Sequence, residues 1–361
     1  MACHGNNGPR SLATAPGFPA HPTPRPHFTP PPMPAPASEL HGLVLRVDAK
    51  SCLVEHGGAV HKLPLQGKLF ENRSHEKQPL AVGDQVQLDA TGLAIAAILP
   101  RQSQLHRRAS SEGEARAQVL AANISLVLVV ASVSDPTFQP ELVDGVLAAA
   151  ARESIPTALA LTKVDLEPTA AQQLAATYAN AGVRLFACST VPGHGDPDAL
   201  PALGELLHQH RTVICGLSGA GKSTLVNTVV PGANLRTGSL NHIGQGRHTT
   251  AHTELVRLPG GGHLLDTPGV RNFHLFGAGS QELQFLLPEL AAVRAGCSYR
   301  SCLHEREADC AVRIAVAAGQ IPQSRYASYL TMLARAQEEE QPPSRSSRGQ
   351  GRGGGRRRPS R

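Results

Sequence analysis

The chain reads as a multidomain α/β protein built around a phosphate-binding loop, and three observations predict this. Residues 212–215 are a short apolar run, residues 216–223 match G-x-x-x-x-G-K-[ST], and Leu225, Val226, Val229 and Val230 follow at helical spacing. Strand, glycine-rich loop and helix in that order are the setting in which this pattern holds phosphate. From residue 121 onward, continuous apolar runs alternate with helical patterns, which predicts a parallel sheet covered by helices. Outside that block the pattern changes, to short strands before it and to helices around a Cys/His cluster after it.

Bulk composition narrows the function classes. At 361 residues and 41% hydrophobic content, the chain has room for two or three cored domains. It has no Trp and only 3% aromatic residues, so those cores are aliphatic. No run approaches the ~18 apolar residues of a membrane-spanning helix, which argues against a membrane partner. The net charge is +6, yet residues 341–361 alone carry seven Arg and no acid. The folded part is therefore near neutral, and the basicity sits in a Gly/Arg tail suited to an anionic partner such as RNA. The seven Cys are an odd number, three of them crowded beside a His, which predicts reduced thiols and a metal site in a cytoplasmic protein.

Taken in order, residues 1–40 are a Pro/Ala-rich arm without the apolar core of a signal peptide, expected to be disordered. An organelle transit peptide fits less well, because Arg10 and Arg25 are its only arginines. Residues 41–105 hold five short strands, at 42–47, 51–55, 59–63, 85–88 and 93–99, separated by turn residues such as Gly57-Gly58 and Gly83-Asp84. Five strands in so short a span suit a small barrel, with an OB-fold as the leading candidate. Arg101, His106, Arg107 and Arg108 follow as an expected solvated linker.

Residues 106–280 form the α/β domain. Strands are expected at 124–131, 156–161, 183–187, 212–215, 254–258 and 263–265, and helices at 142–151, around 174–178 and at 198–208. Residues 281–340 form a helical domain with helices at 282–290, 311–318 and 324–336. The tail, 341–361, cannot bury enough surface to fold.

The chemistry of the central loop follows from its residues. Gly216, Leu217, Ser218, Gly219, Ala220 and Gly221 form a loop whose glycines let successive N–H groups point at phosphate oxygens. The helix that starts after it adds a positive dipole end. Lys222 reaches the outer phosphates, and Ser223, followed by Thr224, offers a hydroxyl to magnesium.

Two further stretches end apolar strands. Thr162-Lys163-Val164-Asp165 resembles the base-reading motif of GTPases, with Thr162 where Asn is usual. The Asp165 carboxylate can accept both N1–H and the exocyclic amine of guanine, a donor pair adenine lacks, while the Lys163 stem packs over the base. Cys188-Ser189-Thr190 stands where GTPases carry a loop that helps hold the base, but matches it poorly. His263-Leu264-Leu265-Asp266-Thr267-Pro268-Gly269 resembles the Asp-x-x-Gly motif, with Asp266 holding magnesium and the Gly269 N–H sensing the γ-phosphate. Between them, in Gly246-Arg247-His248-Thr249-Thr250, either Thr249 or Thr250 completes the magnesium shell, and such a loop acts as a switch. Val270 cannot orient water, so His248 or a contact supplied by rRNA must do so.

Cys297, Cys302, His304 and Cys310, spaced C-x₄-C-x-H-x₅-C, make a Cys₃His set sufficient for one closed, structural tetrahedral zinc.

The order of these motifs is unusual. Thr162–Asp165 precedes the phosphate loop and Asp266–Gly269 comes last, a circular permutation of the GTPase sheet. This order, the Gly-Arg-His-Thr-Thr loop, the small barrel and the Cys/His region together resemble the RsgA (YjeQ) family over roughly residues 41–340. That resemblance implies a GTPase of late small-ribosomal-subunit assembly that hydrolyses GTP to GDP and phosphate, binds rRNA and acts as a monomer. It also implies His248 as the catalytic candidate, and the Cys/His spacing matches the family's zinc motif. A nucleotide-regulated RNA-binding or chaperone module, with incidental hydrolysis, is the alternative. An ATP-dependent small-molecule kinase is disfavoured by Asp165.

Overall fold

The structure, a computed structural model, describes residues 40–65, 80–108, 117–233, 235, 254–266 and 278–340. The N-terminal arm, the Gly/Arg tail and the stretch 236–253 lie outside the described residues. The chain divides into two compact units between Phe276 and Gly277.

The first unit begins with β1 (His41–Val47), β2 (Ser51–His56), β3 (Ala59–Pro64), β4 (Gln85–Leu88) and β5 (Ile95–Ile98). They form one antiparallel sheet in the order β3-β2-β1-β4-β5. Gly57 and Gly58 join β2 to β3 with φ of 57° and 80°, the left-handed pair that a two-residue hairpin turn requires. Val44, Cys52, Val54, Leu63, Val86, Leu88 and Ile95 bury one face together with Leu80. The edge strands β3 and β5 share no ladder among the described residues, so the observed element is an open sheet with the strands expected of a barrel.

The expected linker at 101–108 is instead built into the fold. The fully buried Asp84 carboxylate accepts from Arg101 Nε at 2.8 Å and Nη2 at 3.0 Å. Asn123 donates to the Gly83 carbonyl at 3.0 Å and accepts from the Gln102 N–H at 2.9 Å. β6 (Gln104–Arg108) then pairs antiparallel with β7 (Ala117–Ala122). A buried carboxylate demands a paired cation, and a count of surface charge does not reveal which arginine supplies it.

The main sheet contains β8 (Leu126–Ser132), β9 (Thr157–Thr162), β10 (Arg184–Ala187), β11 (Arg211–Cys215), β12 (Leu255–Arg257) and β13 (His263–Asp266), in the order β10-β9-β8-β11-β13-β12. Side chains alternate across it. Val127, Val129, Leu159 and Leu161 pack with Val143, Val146 and Leu147 of α1 (Pro140–Arg152) and Ala171, Ala175 and Tyr178 of α2 (Pro168–Asn180). Leu126, Leu128, Val130, Ala160 and Ile214 pack with Leu203 and Leu207 of α3 (Ala199–Gln209) and Leu225 and Val226 of α4 (Lys222–Val229). Both faces are covered, which is why these strands read as unbroken apolar runs.

One strand departs from the expected parallel sheet: β12 runs antiparallel to β13 at the edge. Its start bridges β1, where Arg46 Nη1 meets Glu254 Oε2 at 3.2 Å. Glu55 of β2 accepts from Arg257 Nη1 at 3.0 Å and His263 Nε2 at 3.1 Å. These contacts fasten the small sheet to β12 and β13.

The second unit contains α5 (Leu283–Leu286), α6 (Pro288–Val293), a short 3-10 turn at Arg294–Gly296, α7 (Ala311–Ala317) and α8 (Gln323–Glu340). The single helix expected at 282–290 breaks at Leu287, whose extended backbone (φ −107°, ψ 111°) is what a residue before proline prefers. The buried Arg325 guanidinium of α8 meets Glu289 of α6 at 2.6 Å, and Glu340 accepts from the Ser280 N–H at 2.7 Å. No helix among the described residues is long and apolar enough to cross a membrane.

Candidate functional site

β8, β9, β10, β11 and β13 run parallel, so the segments after them emerge at one edge of the sheet. The strand order reverses beside β8: β9 lies on one side of it and β11 on the other. A crevice at the carboxyl ends, at such a switch point, is where open α/β sheets bind ligands.

The phosphate loop follows β11 at that edge. Gly216 has φ 151°, and a Cβ there would lie 2.0 Å from the Val130 carbonyl oxygen of β8, so only glycine lets the loop leave the sheet. Gly219 (φ 82°) and Gly221 (φ 85°) turn the chain into α4, of which Gly221 is the N-cap residue. Leu217, Ser218 and Ala220 complete the curve, with Ser218 and Gly219 exposed. Lys222 and Ser223 are both buried in the first turn of α4, while Thr224 is exposed. Lys222 Nζ donates to the carbonyls of Gly216 at 2.9 Å and Leu217 at 2.8 Å, which holds the ammonium across the loop.

The strand end after β9 meets this loop directly. The Thr162 hydroxyl donates to the Ala220 carbonyl at 2.7 Å. Lys163 adopts φ 56° and its Nζ reaches back to the Asp135 carbonyl and to Asp135 Oδ2 at 3.5 Å, so its stem crosses from β9 to the segment after β8. Val164 is buried, and Asp165 beyond it is partly exposed. Ser189, after β10, donates to Asp165 Oδ1 at 2.6 Å and accepts from the Val191 N–H at 2.9 Å.

Asp266 ends β13, with Ile214 as its neighbour on β11. His248, Thr249, Thr250 and Gly269 lie outside the described residues.

In the second unit the Cys/His residues converge. One ligand atom from each of Cys297, Cys302, His304 and Cys310 lies within 4.8 Å of the others, so the group could hold a metal ion. Cys297 Sγ is 3.5 Å from His304 Nδ1 and 3.9 Å from Cys310 Sγ, and Nδ1 is 3.3 Å from Cys310 Sγ. A tetrahedron with metal–sulfur bonds of ~2.3 Å and metal–nitrogen bonds of ~2.0 Å has corners about 3.5–3.8 Å apart, so the set fits one tetrahedral ion. Burial pushes the Cys302 thiol up to about 12, so a cation is needed to keep a thiolate there. Burial lowers the His304 imidazole, which favours the neutral ligand form. The ligand turn is held from outside: Tyr326 Oη donates to the His304 carbonyl at 2.6 Å, and Tyr329 Oη to the Leu303 carbonyl at 2.7 Å. Glu307 accepts from the N–H groups of Leu303, Glu305 and Arg306 at 2.6, 2.9 and 3.0 Å.

Comparison with known proteins agrees with this geometry. Residues 98–276 match the RsgA GTPase family model. A protein of Chlorobaculum parvum named small ribosomal subunit biogenesis GTPase RsgA is 34% identical over 311 residues, covering 81% of this chain and 97% of the relative. The chain belongs to the RsgA GTPase family. Another RsgA relative, from Bacteroides fragilis, is 35% identical over 284 residues and covers 76% of this chain and 90% of its own. The crystal structure of YjeQ from Thermotoga maritima superposes with a TM-score of 0.65 at 27% identity, over 82% of this chain and 98% of that one. YloQ, described as a circularly permuted GTPase, shares the fold with a TM-score of 0.62 at 22% identity, over 84% of this chain and 96% of that one. In the sheet of this chain β9 precedes β11 in sequence and β8 lies between them.

Two features of the site are not carried by the motifs. Ser189 carries the contact to Asp165 although its local pattern is a poor match. Thr162, a departure from Asn, keeps a hydrogen bond to the phosphate loop through its hydroxyl.

Proposed function

We propose that this protein is a cytoplasmic, monomeric GTPase that hydrolyses GTP to GDP and phosphate in late assembly of the small ribosomal subunit, binding its rRNA. The observation that carries the reading is that the segment after β9 bonds the phosphate loop through Thr162, three residues before Asp165, which Ser189 holds at the same edge of the sheet. On this reading the Asp165 carboxylate selects guanine and the loop cradles the phosphates at the same edge of the sheet. Asp165 accepts from guanine N1–H and the exocyclic amine, and the Lys163 stem covers the base. Backbone N–H groups of Gly216–Ser223 hold the phosphates, and Lys222 turns from its loop carbonyls toward the outer ones. Gly269 senses the γ-phosphate, and His248 orients the attacking water. Magnesium, when bound with the nucleotide, supplies positive charge against the phosphate oxygens. Ser223, Asp266 and either Thr249 or Thr250 would hold it.

Zinc is the metal proposed for Cys297, Cys302, His304 and Cys310, supported by a closed Cys₃His donor set with tetrahedral spacing. With no open position the site is structural. The five-stranded sheet over 41–105 is proposed as an OB-fold-like barrel and, with the helical domain at 281–340, as an rRNA-contacting element. The domains proposed alongside them are the arm at 1–40, the permuted GTPase domain at 106–280 and the Gly/Arg tail at 341–361. The relatives' printed name supports the ribosomal partner.

Competition for a fluorescent GDP analogue tests the nucleotide reading. GTP and GDP should displace it at least about a hundredfold better than ATP. Equal displacement by ATP would shift the reading to a kinase.

A further inference from the structure

Gln284 lies on α5, twenty residues from His304 in sequence and outside the Cys/His spacing. It is 1% exposed, and its side-chain contacts fix which way its amide faces. Oε1 lies 2.8 Å from Arg294 Nε and 3.0 Å from His304 Nε2. Nε2 lies 3.0 Å from the Gln281 carbonyl oxygen. A guanidinium only donates, so the amide atom facing Arg294 is the oxygen. That same oxygen faces His304 Nε2, which must therefore carry the hydrogen. The remaining nitrogen, Nδ1, is left with its lone pair toward Cys297 and Cys310.

We infer that Gln284 is a positioning residue of the Cys₃His centre, holding His304 in the tautomer and orientation that make Nδ1 the ligand. Arg294 acts one step further out. Its guanidinium stacks on the Phe285 ring, 4.1 Å from the centroid, and from there pins the amide. Metal-bound histidines regularly donate their other N–H to an oxygen in this way, and loss of that partner weakens metal binding. The partner here is a neutral amide rather than a carboxylate. Burial, with no formal negative charge added beside the thiolates, is the physical reason it suits the site.

The inference rests on the zinc reading, and the test separates the two. Zinc content of the full chain and of Cys310→Ser is measured first; about one zinc per wild-type chain, lost in Cys310→Ser, secures the reading. Zinc is then titrated away with a chromogenic chelator from wild type, Gln284→Met, Gln284→Glu and Arg294→Met. Gln284→Met should hold zinc about 10–100-fold more weakly. Gln284→Glu, which keeps an acceptor, should recover most of that loss, and Arg294→Met should fall between. Nitrogen-15 spectra of the zinc-loaded wild-type imidazole should show Nε2 protonated and Nδ1 metal-bound. Unchanged zinc affinity in both Gln284→Met and Arg294→Met, or a wild-type spectrum with Nε2 as the ligand, would overturn it. Should Gln284→Met fail to fold, Arg294→Met and the wild-type spectrum decide the matter.

Discussion

Ser189 Oγ donates a 2.6 Å hydrogen bond to Asp165 Oδ1, and so joins the strand ends after β10 and β9 at the edge where the base would lie. A hydrogen bond to a carboxylate contributes roughly 1.5–3 kcal/mol, more than a neutral pair. Part of that is screened here because Asp165 is partly exposed. Ser189→Ala should weaken GTP and GDP binding about tenfold and leave the weak ATP binding as it is, measured by nucleotide competition. A uniform loss for all nucleotides would mean that Ser189 serves folding only.

Asp165→Asn exchanges an acceptor oxygen for a donor. Guanine then loses a complementary partner, while xanthine, with a carbonyl at the 2-position, gains one. The same competition assay should show a preference for xanthosine over guanosine triphosphate. Retained guanosine preference would remove Asp165 from base reading.

Thr162 and Ala220 fasten the end of β9 to the glycine-rich loop through one 2.7 Å bond inside the fold. Thr162→Val keeps the shape and removes the hydroxyl, at a cost of about 1 kcal/mol. Thermal unfolding should fall by a few degrees and GDP affinity with it, whereas Thr162→Ser should behave as wild type. Equal behaviour of Val and Ser would show the hydroxyl to be unimportant.

Burial holds the His210 and His263 imidazoles below their ordinary value of 6.5, Glu55 opposing the shift at His263. Below that value the unfolded chain binds more protons than the folded one, so stability rises with pH through this window. It is complete above 6.5 and is lost as pH falls through 6.5 toward the lowered native values. Urea midpoints should therefore drop between about pH 7.5 and 5.5. The His210→Gln, His263→Gln double variant should have a flatter profile; an equally steep one would place the pH dependence elsewhere.

What the sequence made legible were features with short-range signatures. The phosphate loop, the Cys₃His spacing and the alternation of apolar runs each lie within a few dozen residues, and their chemistry dictates the spacing. Pairings that belong to no motif left no such trace, whatever their separation. Glu55 against Arg257 and His263, Asp84 against Arg101, and Gln284 against His304 depend on how strands and helices meet, which periodicity does not encode. The antiparallel β12 escaped for a related reason: an edge strand of three residues carries too little pattern to show direction. The split between α5 and α6 was readable in Pro288, which disfavours a helical residue before it.

The central claim is tested most directly by GTP turnover of the purified protein, alone and with isolated small or large ribosomal subunits. The account predicts slow turnover alone, strong stimulation by small subunits and little by large ones. His248→Ala should lose the stimulated rate while still binding GTP. Tight GTP binding with no stimulation by small subunits would contradict it, and would leave a nucleotide-regulated binding module in its place.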